Sequence, residues 1–535
     1  MTSATQVLVI GAGPSGLAAA LELGRRGVRV VVVEPRTALD PLRARAKTTS
    51  VRTMEHLRRW GLADRLRQLA PLPVAHAQDV VFCTGLFGHE ITRFREAFGL
   101  VTAWRDEFAE PGQQVPQPVV EQVLREAVAA LPSVSLLIGW EAVSVQDGPE
   151  SARAVVRAPD GGTHEFEADY LLGCDGSAGI TRRAIGARYE GRSGTMPNLS
   201  VTFRAPALET GALCALGVHY WVIGAAGGGL MGRLDLDGTW WAIVQGVHAD
   251  ADAAPLVRSL IGADVAVEVL ATDPWSARML LADRYRGQRI FLVGDAAHLN
   301  PPWGGHGFNT CVGDAVNLGW KLAAVLRGWA SPGLLESYQA ERRPIAERTI
   351  DAAGSQEAFL APAFAGADLA DPGPAGQELR AGLADALRVK DPEFHSLGLV
   401  LGYDYPDSPV IVPDGGPVPE PTLTEYVPSG HPGARLPHAW LPDGSSLFDH
   451  LGPELTLVST APGARAVPLV ATARELGIPL RTLAVPDGMR PRFGADLVLV
   501  RPDQHVAWRG SDVADAEALL RRVTGAVAPL SEVAR

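Results

Sequence analysis

The stretch Gln6-Val7-Leu8-Val9-Ile10-Gly11-Ala12-Gly13-Pro14-Ser15-Gly16 decides the fold. Its apolar first half predicts a buried parallel strand, and its second half has the spacing Gly-x-Gly-x-x-Gly. The pattern of Leu17–Arg26 predicts a helix, Gly27 ends that helix, and Val28–Val33 predicts a second strand. The stretch therefore opens a unit of the kind that binds a dinucleotide at a helix N-terminus.

Glu34 closes the second predicted strand, eighteen residues after Gly16. A carboxylate at this place accepts a hydrogen bond from an adenosine ribose hydroxyl and repels a 2′-phosphate. We therefore expect this unit to hold FAD or NAD and not NADP. The residues predicted to contact the cofactor here are Gly11, Gly13, Pro14, Ser15, Gly16, Glu34 and Arg36.

A second glycine-rich run spans residues 293–310 and follows the predicted strand Arg289–Val293. Asp295, at the strand end, suits a hydroxyl of a sugar-phosphate chain, and close glycines let backbone approach a flat ring. A helix is predicted over Asp314–Arg327, and its N-terminus offers N–H groups and a positive dipole to a ring that gains negative charge on reduction. Together the two runs predict a flavin site.

Another run, residues 227–232, has the same Gly-x-Gly-x-x-Gly spacing. It lies between the strand-like segments Tyr220–Ile223 and Arg233–Leu236, and no helical pattern follows it. We interpret it as part of a hairpin and not as a second dinucleotide site.

The composition is typical of a large water-soluble enzyme. With 535 residues and 47% hydrophobic content, the chain is long enough for about three domains. The net charge of −12 is spread along the chain, which argues against a nucleic-acid partner. The apolar run at the N-terminus is too short for a signal peptide or a membrane span. Four separated cysteines favour reduced thiols in the cytoplasm over disulfides or a metal site.

The segments predict an interleaved α/β fold, in which a Rossmann-like FAD domain alternates with an antiparallel-sheet substrate domain and a thioredoxin-like C-terminal domain follows. That last domain has no cysteine, which excludes a redox role, and we expect Trp508 and Phe448 to anchor its packing or a subunit contact. The predicted boundaries are 1–75, 106–185 and 276–360 for the FAD-binding domain, 76–105 and 186–275 for the substrate domain, 361–432 for a linker and belt, and 433–535 for the thioredoxin-like domain.

On these motifs the chain resembles the class A FAD-dependent aromatic hydroxylases over essentially its whole length. The matching motifs are Gly11–Gly16, Cys174-Asp175-Gly176 and Gly294-Asp295. Within the family it is most similar to actinobacterial natural-product tailoring oxygenases and to phenol hydroxylases with a thioredoxin-like C-terminal domain. The resemblance implies noncovalent FAD, NADPH or NADH as a transient donor, and O2 as cosubstrate. It also implies hydroxylation of an aromatic or polyketide-type substrate through a flavin C4a-hydroperoxide.

The resemblance also implies roles for individual residues. Arg45 and Gln117 would contact the FAD diphosphate or the ring edge, while Asp175 and Arg182 would support FAD and the transient NADPH. Asp295 would hold the ribityl or diphosphate chain. The residues implied to pack at the isoalloxazine are Pro302, Gly305, Gly307, Phe308 and Asn309.

Three positions depart from the family pattern. Cys311 stands where the family usually has glycine, and Gly179 stands where it usually has serine. Lys47 replaces a small residue two positions after Arg45, where it adds a positive charge near the ring or the nicotinamide phosphate.

No residue is singled out as a certain catalytic group, because flavin chemistry requires the protein mainly to orient substrate and exclude water. For each candidate the favoured role is core packing or a satisfied polar group at the surface, because alternate residues of a strand face inward by default. His298 is interpreted as a structural hydrogen-bonding residue. The catalytic candidates are His306, Gln245 and Arg233, and the substrate candidates are Trp221, Arg233, Gln245 and Trp303.

The sequence leaves other functions open. One alternative is Baeyer–Villiger insertion of oxygen into a ring ketone on the same scaffold. Another is a non-catalytic flavin-binding protein. The expected partners are a small aromatic substrate and a second copy of the chain in a homodimer, with no membrane and no metal.

Overall fold

The computed structural model describes residues 2–43, 45–211, 213–224, 227–356, 368–460 and 464–526. Residues 361–367 of the predicted linker therefore lie outside the described residues. The same holds for residues 357–360 of the predicted FAD-binding domain and for 527–535 at the predicted end of the terminal domain.

The strands are given first, in chain order. They are β1 (Thr2–Ile10), β2 (Val30–Glu34), β3 (Thr48–Thr49), β4 (Val80–Cys83), β5 (Glu90–Phe94), β6 (Gln113–Gln114), β7 (Val134–Ile138), β8 (Glu141–Asp147), β9 (Ala152–Arg157), β10 (Thr163–Gly173), β11 (Tyr189–Arg204), β12 (His219–Gly224), β13 (Gly227–Arg233), β14 (Thr239–Gln245), β15 (Glu268–Ala282), β16 (Ile290–Leu292), β17 (His298–Leu299), β18 (Leu455–Ser459), β19 (Leu480–Ala484), β20 (Leu497–Val500) and β21 (Val506–Gly510).

The α-helices follow the same order. They are α1 (Pro14–Gly24), α2 (Val51–Arg59), α3 (Ala63–Leu69), α4 (Gln117–Ala129), α5 (Thr181–Ala184), α6 (Ala207–Thr210), α7 (Ala253–Ile261), α8 (His306–Leu326), α9 (Ser337–Ser355), α10 (Pro374–Ala386), α11 (Asp391–Phe394), α12 (Leu397–Leu401), α13 (Val467–Glu475), α14 (Arg490–Phe493) and α15 (Ala516–Val523).

The first sheet has the order β7-β2-β1-β10-β9-β8, and β16 also pairs with β10. β1 is parallel to both β2 and β10, so the glycine-rich turn after β1 lies at the carboxyl edge of a parallel sheet. Helix α1 follows this turn and packs closely against α8: a Cβ on Gly319 would lie 2.6 Å from Cβ of Glu22. This packing joins the two glycine-rich runs, although almost three hundred residues separate them.

The second sheet has the order β17-β15-β11-β14-β13-β12-β4-β5. One face, with Tyr220 and Trp240, forms a separate apolar cluster with α7. The other face, with Phe82 and Trp221, joins the core of the first sheet. The predicted interleaved α/β class is confirmed, although the predicted boundary at residue 276 falls inside β15.

The run at residues 227–232 lies in a hairpin, as expected, but not at its turn. Its residues lie within β13, which pairs antiparallel with β12. A Cβ on Gly229 would lie 2.6 Å from the carbonyl oxygen of Ile243, so close strand packing accounts for this glycine. No helix follows β13 directly.

The terminal unit has a four-stranded sheet of order β19-β18-β20-β21. β18 and β19 are parallel, and the other pairs are antiparallel, which is the strand arrangement expected from the sequence. Phe448 and Trp508 pack against apolar clusters of this same chain. Their packing therefore needs no second subunit.

Among the described residues, no helix is long and apolar enough to cross a membrane. Cys83, Cys174, Cys214 and Cys311 are all free thiols.

Candidate active site

The turn between β1 and α1 is tight on its protein side and open on the other. Gly11 has φ +103°, and a Cβ there would lie 2.3 Å from the carbonyl oxygen of Cys174. A Cβ on Gly16 would lie 1.9 Å from the carbonyl oxygen of Gly11. Around Gly13, the N-cap of α1, a Cβ would meet no protein atom within 4 Å. This open space at a helix N-terminus fits a diphosphate.

Glu34 is oriented by the same turn. Its carboxylate accepts hydrogen bonds from the backbone N–H of Ala12 at 2.7 Å and from Nε of Arg36 at 2.8 Å. Burial alone would raise the pKa of Glu34, but the hydrogen bonds from Arg36 and Ala12 lower it. Glu34 is therefore ionised at neutral pH, the state required to accept a ribose hydroxyl.

The segment of Arg45 is held near α4. Gln117, the first residue of α4, accepts the N–H of Ala46 at 3.4 Å and donates to Glu121 at 2.7 Å. The guanidinium of Arg45 is half-exposed and lies 3.7 Å from the carboxylate of Asp273. Arg45 is thus accessible to a ligand, whereas Gln117 organises the segment.

The acids of the two short motifs have different surroundings. Asp295 is exposed, and its carboxylate accepts only a weak hydrogen bond, from the thiol of Cys311 at 3.4 Å, among the described contacts. Asp175 accepts the hydroxyl of Thr181 at 2.6 Å and its N–H at 3.0 Å. Asp295 is therefore available to a ligand, while Asp175 holds the turn before α5.

The departures at Gly179 and Cys311 have local explanations. A Cβ on Gly179 would lie 2.1 Å from Cγ of Asp175, so glycine is the residue that fits this turn. The thiol of Cys311 donates a hydrogen bond to the carboxylate of Asp295 and therefore lies beside a residue predicted to contact FAD. Arg182 donates to the carbonyl of Ser177 at 2.9 Å and stacks on Tyr189 at 3.7 Å, so it packs against protein.

The start of helix α8 corrects the prediction. The helix begins at His306 and not at Asp314, because Gly304 and Gly305 have φ of +73° and +68° and form the turn before it. Gly307, Phe308 and Asn309 consequently lie in its first turn, where backbone N–H groups lack partners within the helix. The residues predicted to contact the flavin ring therefore lie at the positive N-terminal end of α8.

Asn309 ties this helix start to the segment before α2. Its Oδ1 accepts the N–H of Ser50 at 2.9 Å and the hydroxyl of Thr53 at 2.7 Å. Its Nδ2 donates to the carbonyl of Thr48 at 3.1 Å and to that of Gly305 at 2.7 Å. Asn309 therefore fixes both sides of the space proposed for the ring.

Two buried side chains, His298 and Arg342, hold Asp314 of α8. Nε2 of His298 lies 2.8 Å from Oδ2 of Asp314, and Nε of Arg342 donates to Oδ1 at 2.8 Å. Burial would lower the pKa of His298, but Asp314 raises it. His298 therefore has the structural hydrogen-bonding position that the sequence analysis predicted.

The loop at residues 300–305, directly before α8, is called the flavin loop, and a cavity of about 170 Å³ opens beside it. Its wall includes Thr48, Phe98, Gly305, His306 and Asn309. Burial lowers the pKa of His306 to about 4, so its ring is neutral at pH 7. His306 is thus placed at the site as a neutral hydrogen-bonding group and not as an acid. Pro302, in the same loop, is exposed.

The residues of the second sheet that were predicted to contact the substrate lie on different faces of that sheet. Trp221 lies on the face toward the first sheet and stacks on Phe82 at 5.5 Å. Gln245, partly buried at the end of β14, shares that face with Trp241 by strand alternation. Trp303 is 8% exposed and packs in the core behind the loop.

Arg233 is a correction to the predicted site. It pairs across the sheet with Trp240, on the face away from the first sheet. It forms an ion pair with Glu209, and its guanidinium lies 4.5 Å from the centre of the Trp240 ring. Arg233 therefore stabilises the outer face and does not reach the cleft.

Several residues near the loop were missed from the sequence. His219 lies between the rings of Phe98 and Trp241, at 5.2 and 5.0 Å, and its Nε2 is 3.2 Å from Nε2 of Gln114. Phe98 has φ +59°, a left-handed conformation that costs about 1–3 kcal/mol outside glycine. Ser50 had a recognisable signal, since serine before a helix is a common N-cap.

Replacing Asp295 by alanine is expected to weaken FAD binding. The change removes charge-assisted hydrogen bonds worth about 1.5–3 kcal/mol, which corresponds to roughly a 10- to 150-fold rise in Kd. Fluorescence titration of apoprotein with FAD measures this rise. Asp385→Ala, which removes an exposed carboxylate paired with Arg388, is the control. Equal FAD affinity in the two variants would refute the role of Asp295.

Two family models match the chain. The FAD binding domain model covers residues 4–353, and the C-terminal domain model of aromatic-ring hydroxylases covers residues 429–527. No group of three or more His, Cys, Asp or Glu side chains able to hold a metal ion occurs among the described residues.

Known proteins resemble the chain along its length. A phenol 2-monooxygenase of Pseudomonas sp. (strain EST1001) is 30% identical over 96% of this chain and 91% of that protein. RebC, in a chromopyrrolic acid-soaked structure with bound 7-carboxy-K252c, has a TM-score of 0.91 and 33% identity over 98% of this chain and all of RebC. Aklavinone-11 hydroxylase, in complex with FAD and aklavinone, has a TM-score of 0.82 and 28% identity over 97% of this chain and 99% of its own.

Proposed function

Because the chain belongs to the FAD-dependent aromatic-ring hydroxylases and is a FAD monooxygenase, we propose that it hydroxylates a fused-ring aromatic or polyketide-type substrate with NAD(P)H and O2. One observation carries the proposal. The open turn at Gly13, the exposed Asp295 and the start of α8 lie together, because a Cβ on Gly294 would lie 2.3 Å from Oγ of Ser15 and 3.0 Å from Sγ of Cys311.

The described residues fit FAD. Gly13 leaves room for the diphosphate, Glu34 suits the ribose, and Asp295 suits a hydroxyl of the chain between them. The first turn of α8 provides N–H groups for the ring. When bound, FAD supplies the electron transfer and the oxygen chemistry, and these residues only hold and orient it.

The protein groups around the ring contribute position and exclusion of water. The first-turn N–H groups of α8 and its dipole stabilise negative charge that develops on the ring. We propose that the sheet face with Trp221 and Trp241, each 3% exposed, forms the opposite wall. The indole N–H of Trp221 has no hydrogen-bond partner among the described residues, and we propose that it donates to an oxygen of the substrate.

The substrate class is proposed from two lines of support. The aromatic wall suits a flat, fused-ring molecule. Two structural relatives are described with bound small molecules, aklavinone in one and 7-carboxy-K252c in the other. The choice between NADPH and NADH, the oxygen-transfer route and the homodimer stay predictions.

The product distinguishes the proposal from its alternatives. We expect FAD-loaded protein, NADPH and a panel of naphthols and hydroxyanthraquinones to give a product with one added ring hydroxyl. Mass spectrometry and NMR of the product provide the measurement. A ring-expanded ester or lactone would indicate Baeyer–Villiger insertion, and a bound flavin with no product from any aromatic compound would indicate a non-catalytic flavin protein.

Flavin reduction by NADPH is expected to depend on substrate. Glu34 repels a 2′-phosphate in the dinucleotide fold, and we expect no second such fold, so the donor must visit the flavin transiently. Anaerobic stopped-flow absorbance should show slow reduction without an aromatic ligand and much faster reduction with one. Equal rates in both conditions would contradict the gated entry of the donor.

A further inference from the structure

Lysine is rare in this chain, and Lys47 has distinctive surroundings. The sequence has three lysines, Lys47, Lys321 and Lys390. Lys321 donates to Glu341 at 2.6 Å, and Lys390 forms an ion pair with Glu393. No carboxylate lies within ion-pair distance of Lys47 among the described residues. Its ammonium donates to the carbonyl of Arg45 at 3.0 Å and lies 4.3 Å from the centre of the Trp241 ring.

Lys47 connects the flavin loop with the aromatic sheet face. Its backbone carbonyl accepts the N–H of Val115, and the next residue, Thr48, accepts a hydrogen bond from Asn309. The side chain extends the other way, to Trp241 on β14. The ammonium therefore lies between the proposed ring site and the proposed substrate wall.

An ammonium in this position is partly removed from water. Burial lowers the pKa of Lys47 to about 8. Burial and the nearby charge of Lys47 together lower the pKa of His219 to about 3. The hydrogen bond to Arg45 and the contact with Trp241 hold the ammonium, but no carboxylate among the described residues neutralises its charge. An anion that enters the cleft would do so.

We propose that Lys47 binds an anionic oxygen, a phenolate or a carboxylate, on the aromatic substrate, whose ring packs beside Trp241. This inference rests on the proposed function, because it assigns the substrate class of that same site. The flavin has other partners for its negative charge, since the N–H groups in the first turn of α8 border the proposed ring site. Of the two anions that remain, the nicotinamide phosphate and an oxygen of the substrate, the Trp241 ring beside the ammonium favours the aromatic substrate.

The test uses two probes with the same ring system, 2-naphthoate and neutral 2-acetonaphthone. Holoenzyme is titrated with each, and binding is read from the change in flavin absorbance. Wild-type protein is expected to bind 2-naphthoate about tenfold more tightly, which corresponds to about 1.4 kcal/mol. Lys47→Met should bind the two probes equally, and Lys47→Arg should keep the preference. Arg388→Met, an exposed site, is the control.

Unchanged preference in Lys47→Met would overturn the proposal. A lower FAD affinity in Lys47→Met with the preference intact would overturn it as well, by assigning the ammonium to the flavin. The melting temperature of the apoprotein should stay the same or rise in Lys47→Met, whereas a structural role would lower it. Binding of the probes needs no turnover. If Lys47→Met loses the preference for 2-naphthoate but the wild-type enzyme forms no hydroxylated product, the result would contradict the proposed function and leave the role of Lys47 intact.

Discussion

Replacing Glu341 by leucine is expected to destabilise the protein by about 3–5 kcal/mol, the cost of leaving buried charges without their partner. Glu341 is 1% exposed. Its carboxylate accepts hydrogen bonds from Arg501 at 2.7 and 2.8 Å, from Lys321 at 2.6 Å and from Ser408 at 2.6 Å. Because Arg501 belongs to the terminal unit and Glu341 to α9, the variant also weakens the contact between that unit and the flavin-binding part.

A matched control lies on the same helix. Glu347→Leu removes an exposed carboxylate that is 3.9 Å from Arg343, and its effect should stay below about 1 kcal/mol. Urea unfolding followed by tryptophan fluorescence compares the two variants. Exposed ion pairs usually contribute about 0–1 kcal/mol. If the free energies of unfolding of the two variants therefore differed by less than about 1 kcal/mol, the assignment of Glu341 would be contradicted.

The carboxyl group of Glu341 also predicts that the stability of the protein depends on pH. Burial would raise the pKa of Glu341, but Arg501 and Lys321 lower it to about 2. A carboxyl with a lowered folded-state pKa stabilises the protein above its unfolded value of 4.5, and that stability is lost as the pH falls toward 2. Glu341→Leu should lack this part of the acid destabilisation.

Gly16→Ala and Gly13→Ala should separate folding from cofactor binding. A Cβ on Gly16 would lie 1.9 Å from a carbonyl oxygen, and since both groups belong to the backbone the clash costs about 1–3 kcal/mol or more. A Cβ on Gly13 meets no protein atom within 4 Å, so apoprotein stability should not change. FAD affinity should fall about tenfold or more, because this glycine lets the backbone approach the diphosphate.

Thermal unfolding of the two apoproteins and FAD titration of the folded ones provide the measurements. Gly382→Ala, where a Cβ also meets no atom within 4 Å, controls for the added methyl group. Wild-type FAD affinity in Gly13→Ala would show that the diphosphate does not lie against this turn.

The dinucleotide half of the site could be predicted because its signals are local. Gly11–Gly16 and Glu34 belong to one strand, turn and helix unit, and neighbouring residues determine its geometry. The start of α8 was predicted eight residues too late. The close glycines of the run were placed before the helix, whereas Gly304 and Gly305, with positive φ, form the turn before it and Gly307 lies within it.

Other features depend on pairing over long distances. The prediction for Arg233 was wrong because the face of a strand residue follows from register, and Arg233 pairs with Trp240 on the outer face. The ion pair of Glu341 and Arg501 joins residues 160 positions apart, and no local pattern indicates it. Lys47 was recognised as unusual, but its contact with Trp241 required the folded chain.

The most direct test of a FAD-dependent aromatic hydroxylase is the source of the oxygen in its product. FAD-loaded protein is incubated with NADPH and an aromatic substrate under oxygen-18 gas in ordinary water, and the product is analysed by mass spectrometry. The account predicts one oxygen-18 atom in each new ring hydroxyl and none when only the water is labelled. A product hydroxyl that carries oxygen from water would contradict the account.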